Sequence, residues 1–350
     1  MSRPLRIAAA QIGAIDPTTP RPAVISRLLA LLDSAASQSI RLVIFPEIAL
    51  TTFFPRYLLS PAELDAYFET SDPLISPNTA PIFRSAHEKG IDIVLGYAER
   101  DDQGRGWNTC VYYSASQDKV LSKYRKVHLP GTVEPFADPD AINQLEKRYF
   151  TPGDLGFRAF RAPGLVEGAV KKGDLQKALV EGRELQTEGK GDAILGMLIC
   201  NDRRWPEAWR VLTLQGAELI VFGYNTGANM GHLWGSKPMP KEEAEREALF
   251  HSRLVQQANS YQNACWSVSA ARCGMDDGKY ELIAGSAIVS PEGHVVAEAK
   301  TKGDELVVAE IDLADCRQGK EKTFDYKRHR RIEHYGLIAS QTGVVEPELL

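Results

Sequence analysis

Apolar residues in this chain come in short runs that stop abruptly at polar or turn residues, and stretches with helical spacing separate many of them. That pattern restricts the fold to an α/β class. Leu5 to Gln11 reads as a buried strand, Leu28, Leu29 and Leu32 recur at helical spacing after Ile25, and Leu42 to Phe45 is again strand-like. Ser60-Pro61-Ala62-Glu63 has the form of a capping box with proline at the first helical position. Ile91 to Tyr97 predicts a further strand, and Thr109 to Tyr113 with the segment around Val120 predicts a hairpin, so the sheet is expected to be mixed. The same grammar returns later. A strand is expected at Ile194 to Ile199, a helix from Pro206 to about Gly216 and a strand at Leu219 to Phe222. A long polar helix then runs from Lys241 to Gln262, followed by strands near Trp266 to Ala270, Ala284 to Val289 and Val295 to Ala299. Two copies of an α/β layer, packed sheet against sheet, would account for the order.

At 350 residues, 43% hydrophobic and 25% charged, the chain has enough material for a large core without staples. A formal charge of -5 offers no global field for nucleic acid or an anionic membrane. Cysteines 110, 200, 265, 273 and 316 form no CxxC and are odd in number, which points to a reducing compartment. The longest apolar run, Ala193 to Cys200, is too short to span a bilayer, and the opening MSRPLRIAAAQIG lacks a signal-peptide core, so a cytoplasmic protein is expected. The segment Ala162 to Asp192, with six glycines and no aromatic residue, reads as a surface insertion, with a short helix at Asp174 to Leu185 carrying Leu175 and Leu179 on one side. Arg317 to His334 carries seven Lys or Arg against three acids and reads as a solvated or subunit-facing tail. The whole, 1–350, is expected to be a single domain with that insertion at about 162–192 and the tail at about 317–350.

GxSxG, HExxH, the phosphate loop GxxxxGK[ST] and HxH are all absent. What remains are polar residues at the ends of apolar strands. Glu47 follows LVIFP, Lys126 sits in KYRKVHLPG, and Cys200 ends AILGMLIC before Asn201-Asp202-Arg203-Arg204 and Pro206. Each alone has an ordinary explanation as a cap or salt-bridge acid, a surface cation and a small buried hydrophobe. Together they supply a thiol acyl-transfer site. A cysteine beside helix-terminal N–H groups is stabilised as thiolate, a carboxylate accepts its proton and later activates water, and an ammonium neutralises the tetrahedral oxygen.

These residues resemble the nitrilase (carbon–nitrogen hydrolase) superfamily. FPE at 45–47, KYRKVHLPG at 123–131 and the cysteine opening CNDRRWPE carry the likeness. FPEIALTTFFPR, LEKRYFTPGDLGF at 145–157, GYNT at 223–226, SRLVQQANSYQN at 252–263 and HYGLIA at 334–339 are similar to its N-carbamoyl-D-amino acid amidohydrolase branch. The resemblance implies a four-layer α-β-β-α sandwich with mixed sheets, no cofactor or metal, and subunits paired through their helical layers as a homodimer or homotetramer. It implies Glu47 as general base, Lys126 as oxyanion stabiliser, Cys200 as nucleophile and Glu146 as a second acid positioning substrate and lysine. On the substrate side it implies Arg203, Arg204 and Asn225 around the carboxylate and carbamoyl group, with Asn201 and His128 in support. Gln144 stands where that branch carries a histidine, and GANMGHLWG after GYNT replaces a proline-rich loop.

The activity expected is hydrolysis of N-carbamoyl-D-amino acids to amino acid, ammonia and carbon dioxide. The partner is then a small molecule, with neither nucleic acid nor membrane. The alternatives are another superfamily amidase or a β-ureidopropionase-like enzyme, a catalytically silent sandwich used for interaction, and a metal-dependent cyclic-amide hydrolase, which the missing histidine pair disfavours.

Overall fold

A computed structural model describes residues 2–138, 141–184, 189–228, 230 and 239–349. Two mixed sheets, of seven and six strands, dominate it. The first runs in the order Glu305–Asp312, Pro4–Gln11, Leu42–Ile44, Asp92–Arg100, Gly106–Ser114 and Lys119–Arg125, with the short strand Glu69–Thr70 on the end of Asp92–Arg100. The second runs Val295–Glu298, Ala287–Val289, Trp266–Ala271, Leu219–Tyr224, Ala193–Ile199 and Phe160–Ala162. At the centre of each sheet three strands are parallel, and antiparallel neighbours flank them.

Side-chain alternation explains the layering. In the first strand Ile7 and Ala9 belong to the core between the sheets, whereas Ala8 and Ala10 pack under the helices Arg21–Ser37 and Ala80–Lys89 with Val24, Leu28, Leu32, Ile82 and Phe83. On the second sheet Met197 meets Cys110 across the interface. Gly196 next to it lies so close to Leu212 of helix Pro206–Leu214 that a Cβ there would stand 2.8 Å from a leucine methyl. The expected α-β-β-α sandwich of the nitrilase type with mixed sheets is the fold observed.

The fourth layer departs from the usual pattern. Helix Lys241–Asn263 turns Ser252, Gln256, Asn259, Ser260 and Asn263 inward, where Gln256 and Ser260 hydrogen-bond to Ser267 and Ser269 of the strand beneath. Its large apolar side chains Phe250, Leu254 and Tyr261 face outward. Among the described residues, no helix is long and apolar enough to cross a membrane.

The capping box at Ser60 and Glu63 forms as expected, on a helix of only five residues. The sequence reading omitted the strand Glu305–Asp312, which pairs with the first strand along its whole length, and the hairpin of Cys273–Asp276 with Tyr280–Ile283. Both are half-exposed edge structures with few buried apolar residues. The Gly-rich segment contributes more core than its composition suggested, because Leu165, Val166 and Ala169 join the inter-sheet cluster. Its helix runs Lys172–Val180 and buries Ala178, with Leu179 exposed; Leu185, the expected end, lies outside the described residues.

Candidate active site

Glu47, Cys200 and Asn225 all follow the carboxyl ends of parallel strands, where loops gather above a sheet edge. Glu47 comes directly after Leu42–Ile44 and Pro46, and the next residue, Ile48, has a left-handed φ of 47°. Cys200 follows Ala193–Ile199 and is itself left-handed, also at φ 47°, at the head of a 3-10 turn, Cys200–Arg204, that leads into helix Pro206–Leu214. A side chain held in this region costs about 1 kcal/mol or more and persists only where its surroundings require it. Here the turn breaks the strand line and presents the thiol to the seam between the sheets.

Two glycines make that seam narrow enough. A Cβ on Gly223 would lie 2.3 Å from the Glu47 nitrogen, and one on Gly96 would lie 2.5 Å from the Pro46 carbonyl oxygen. Each sits in a different sheet, so the Pro46–Glu47 peptide is gripped from both sides. Lys126 is anchored through its backbone, with its N–H donating to the Asn108 carbonyl at 2.8 Å and its carbonyl accepting from the Gly153 N–H at 2.8 Å.

The side chains close into one network. The Lys126 ammonium donates to Glu47 Oε1 at 2.8 Å and to Glu146 Oε2 at 2.6 Å, with all three groups fully buried. Asn108 donates to Glu47 Oε1 at 2.7 Å and reaches Glu146 Oε2 at 3.5 Å. Asn225 gives Glu47 Oε2 its backbone N–H at 2.9 Å and, through Nδ2, contacts the Glu47 carbonyl at 2.8 Å. The Cys200 thiol reaches the carbonyl of the same Asn225 at 3.5 Å, so one residue links acid and thiol. Gln144, in the position of the expected histidine, donates to Glu146 Oε1 at 3.4 Å.

Burial opposes charge on Glu47, yet the Lys126 ammonium and the hydrogen bonds from Lys126, Asn108 and Asn225 outweigh it and hold this carboxyl below its ordinary range. Glu146 is pushed the other way, up to about 7, by burial and by the charge of Glu47, against the pull of Lys126. Burial disfavours the charged Lys126 too, but the neighbouring Cys200, Glu146 and Glu47 keep its pKa above normal. Burial and the Glu47 charge push the Cys200 thiol up to about 11, with Lys126 and Arg203 offsetting only part. Burial and the adjacent Glu47 charge thus work against the thiolate that the cysteine's place before a helix suggests, and favour a thiol whose proton the carboxylate takes.

The two adjacent arginines line the same cavity and differ in their partners. Arg203 is buried and engaged: Nη1 donates to the Cys200 carbonyl at 2.8 Å and approaches Sγ at 3.8 Å, Nη2 donates to Thr226 Oγ1 at 3.1 Å, and the guanidinium lies 4.4 Å from the Tyr224 ring centre. Arg204 is exposed on the wall of a cavity of about 560 Å³ that also contains Cys200, Asn201, Arg203 and Asn225, and among the described residues it has no carboxylate partner. Of GANMGHLWG, Asn229 and 231–235 lie outside the described residues. A larger open groove beside Phe68 and Arg100 is lined by none of Glu47, Lys126 and Cys200.

His128 stands beside this group. Its ring nitrogen and backbone N–H both meet Asp202 Oδ1, at 2.7 and 2.9 Å, and it stacks 4.6 Å from Trp205. Asp202 also accepts from Tyr124 at 2.7 Å and so ties the cysteine turn to the lysine strand; Asn201 Nδ2 adds a bond to the His128 carbonyl at 3.2 Å. Sequence reasoning did not single out Asn108, Asp202 or the two seam glycines. Asn108 had a signal, being an amide inside the apolar strand WNTCVYY. Among the described residues, no three His, Cys, Asp or Glu side chains gather as a metal site.

The sequence pattern of the carbon–nitrogen hydrolase family matches residues 6–321. The chain belongs to that family. The N-carbamoylputrescine amidase of Arabidopsis thaliana is 27% identical over 304 residues, 85% of each chain. The citrullinase of Francisella tularensis is 24% identical over 318 residues, covering 90% of this chain and 92% of its own. A carbon–nitrogen hydrolase from Helicobacter pylori G27 shares the fold, with a TM-score of 0.74 at 21% identity over 97% of this chain and 99% of that one. Family membership makes this carbon–nitrogen hydrolase a hydrolase of carbon–nitrogen bonds acting on a small molecule.

Proposed function

We propose that the chain hydrolyses N-carbamoyl amino acids, with the D-enantiomers as the expected substrates, by acyl transfer through Cys200. The observation that carries this reading is a thiol beside a buried Glu47–Lys126–Glu146 array, facing a cavity whose wall holds an arginine with no carboxylate partner among the described residues. The Cys200 proton passes to Glu47 as sulfur attacks the carbamoyl carbon, and Lys126 neutralises the oxygen that gains charge. Glu47 returns the proton to the departing nitrogen as the C–N bond breaks. It then takes a proton from the water that attacks the thioester, and the thiol is restored. The carbamate fragment decays to ammonia and carbon dioxide. Arg204 holds the substrate carboxylate, while Arg203, already engaged, positions Cys200. Glu146 holds Lys126, and Asn225 holds Glu47 next to the carbamoyl group.

A second reading has support in the same cavity. Glu247 and Glu281 also line it, and they suit an amine-terminated carbamoyl compound such as the substrate named for the Arabidopsis relative. Glu281 is already paired with Lys241 at 2.8 Å and Lys302 at 3.0 Å, which favours the carboxylate reading. Product analysis with a panel of D- and L-carbamoyl amino acids and carbamoyl amines tests both. Turnover of amines alone would replace the first reading with the second.

The same proposal pairs subunits through the second helical layer. Val211 and Leu214 join Phe250, Leu254 and Tyr261 as exposed apolar side chains there, whereas helices Arg21–Ser37 and Ala80–Lys89 expose no large hydrophobic residue. Light scattering of the Phe250→Glu/Leu254→Glu protein is expected to show a smaller species than the parent.

A further inference from the structure

Arg56 ends the short turn Phe54–Arg56, nine residues after Glu47, and lines the same cavity as Cys200 and Arg204. It is 6% exposed, yet among the described residues its side chain makes one hydrogen bond, a long one, from Nη1 to Asp276 Oδ2 at 3.5 Å. The rest of its guanidinium lies between the rings of Phe53 and Tyr280, at 5.5 and 5.2 Å from their centres.

Asp276 cannot balance this charge, because a second arginine has the stronger claim on it. Arg272 donates to Asp276 Oδ1 at 2.9 Å and is otherwise satisfied by the carbonyls of Thr51 at 3.0 Å and Gly13 at 3.2 Å. The Ile15 N–H donates to that oxygen as well, at 3.0 Å. Two buried guanidiniums therefore share one carboxylate. The inner one is fully paired, and the one facing the cavity carries the surplus positive charge. A buried cation with unfilled donors on a cavity wall is the arrangement that a ligand carboxylate completes.

We propose that Arg56 forms a second anion subsite in the cavity, so that the preferred substrates are N-carbamoyl derivatives of acidic amino acids. This rests on the reading in which Arg204 holds the α-carboxylate; Arg56, presented by a different loop, takes the carboxylate of the side chain. Phe53 and Tyr280 hold its guanidinium between their rings.

The test compares N-carbamoyl-D-glutamate and -aspartate with their glutamine and asparagine counterparts, which match them in shape and lack the second charge. The acids are expected to have kcat/KM at least about tenfold above the amides, and Arg56→Met to lower the acids by about thirtyfold while changing the amides less than about threefold. Arg56→Lys keeps part of the preference if charge is what matters. Equal values for acids and amides in the parent enzyme would overturn the proposal, as would an equal loss of both in Arg56→Met. Binding of glutarate and butyrate to the Cys200→Ala protein, followed by calorimetry, separates this question from turnover. Glutarate is expected to bind at least about tenfold more tightly, in an Arg56-dependent manner. Butyrate binding as tightly would sink the subsite even if the carbamoyl reading held, and glutarate preference without carbamoyl turnover would sink only that reading.

Discussion

The floor and the wall of the cavity are built on opposite principles. On the floor every charge has its partner within the protein: Lys126 lies between Glu47 and Glu146, and Asn108 and Asn225 fill the remaining positions on Glu47. On the wall, Arg204 has no carboxylate among the described residues and Arg56 shares one with a better-placed competitor. A buried network whose charges are already paired is preorganised at those charges, while the side-chain oxygens of Asn108 and Asn225 have no partner among the described residues. Unfilled donors wait for a ligand to complete them. Chemistry is set by the protein, and choice of substrate is left to what the wall lacks.

The largest expected effect comes from the floor. Cys200→Ala removes the nucleophile and should lower kcat by about 10⁴-fold or more, with circular dichroism unchanged, since the alanine fits where the thiol was. Residual turnover close to that of the parent would remove Cys200 from the mechanism.

Glu47→Gln should lower kcat by about 10²- to 10⁴-fold, the usual contribution of a positioned base. It also bears on the thiol. With the neighbouring charge gone, the alkylation midpoint of Cys200 by iodoacetamide should fall below that of the parent, because the Glu47 charge is one of the causes that raise it. Turnover and labelling would then move in opposite directions, and because unfolding would also expose the buried thiol, a circular dichroism spectrum like the parent's is the control that separates the two causes. The same variant should alter acid stability. A carboxyl held below its ordinary 4.5 contributes stability that is fully present above that pH and is lost as pH falls through the lowered value. Acid denaturation followed by fluorescence should therefore show a shallower acid limb in Glu47→Gln.

The wall gives smaller and more selective effects. Arg204→Ala should cost on the order of 2 to 4 kcal/mol in kcat/KM for carboxylate substrates and clearly less for uncharged amide analogues. Equal losses for both would assign Arg204 a structural role and dissolve the distinction from the floor. Gly223→Ala, at the seam below, forces a Cβ against the Glu47 backbone and should lower stability by about 1 to 3 kcal/mol in urea unfolding, with turnover falling further than stability explains.

The smallest effect belongs to the Gly-rich segment. Val170 N–H and the Lys190 carbonyl lie 2.9 Å apart and close its neck, so replacing 171–189 by a short Gly/Ser bridge should change stability by less than about 1 kcal/mol. Cutting back to 163 as well would remove Leu165 and Val166 from the core and should cost several times more.

Much of this was legible from residue order. Strand-and-helix alternation announced the layers, since a two-residue period buries both faces of a central strand only when something covers each side. The motifs around Glu47, Lys126 and Cys200 nominated the polar ends of those strands. Edge strands such as Glu305–Asp312 escaped because half-exposed positions dilute the periodic signal. Glu146 and Gln144 also came from motif likeness, as no periodicity distinguishes a buried acid from a surface one.

Tertiary structure alone decided the electrical state of the site and the division of labour among its cations. Sequence offered a cysteine before a helix and suggested a stabilised thiolate; the fold buries it beside the Glu47 charge, and both push its pKa up. Sequence offered two adjacent arginines as equals; both line the cavity, but the turn engages Arg203 with Cys200 and Thr226 and leaves Arg204 more exposed. Arg56 and Asp276 are 220 positions apart, and only packing shows that Arg272 has already claimed the acid between them. Residue types and spacing determine which groups are near the ends of strands. Burial and pairing over distances of a few ångströms determine which of those groups are charged, satisfied or free, and that information exists only once the two sheets have met.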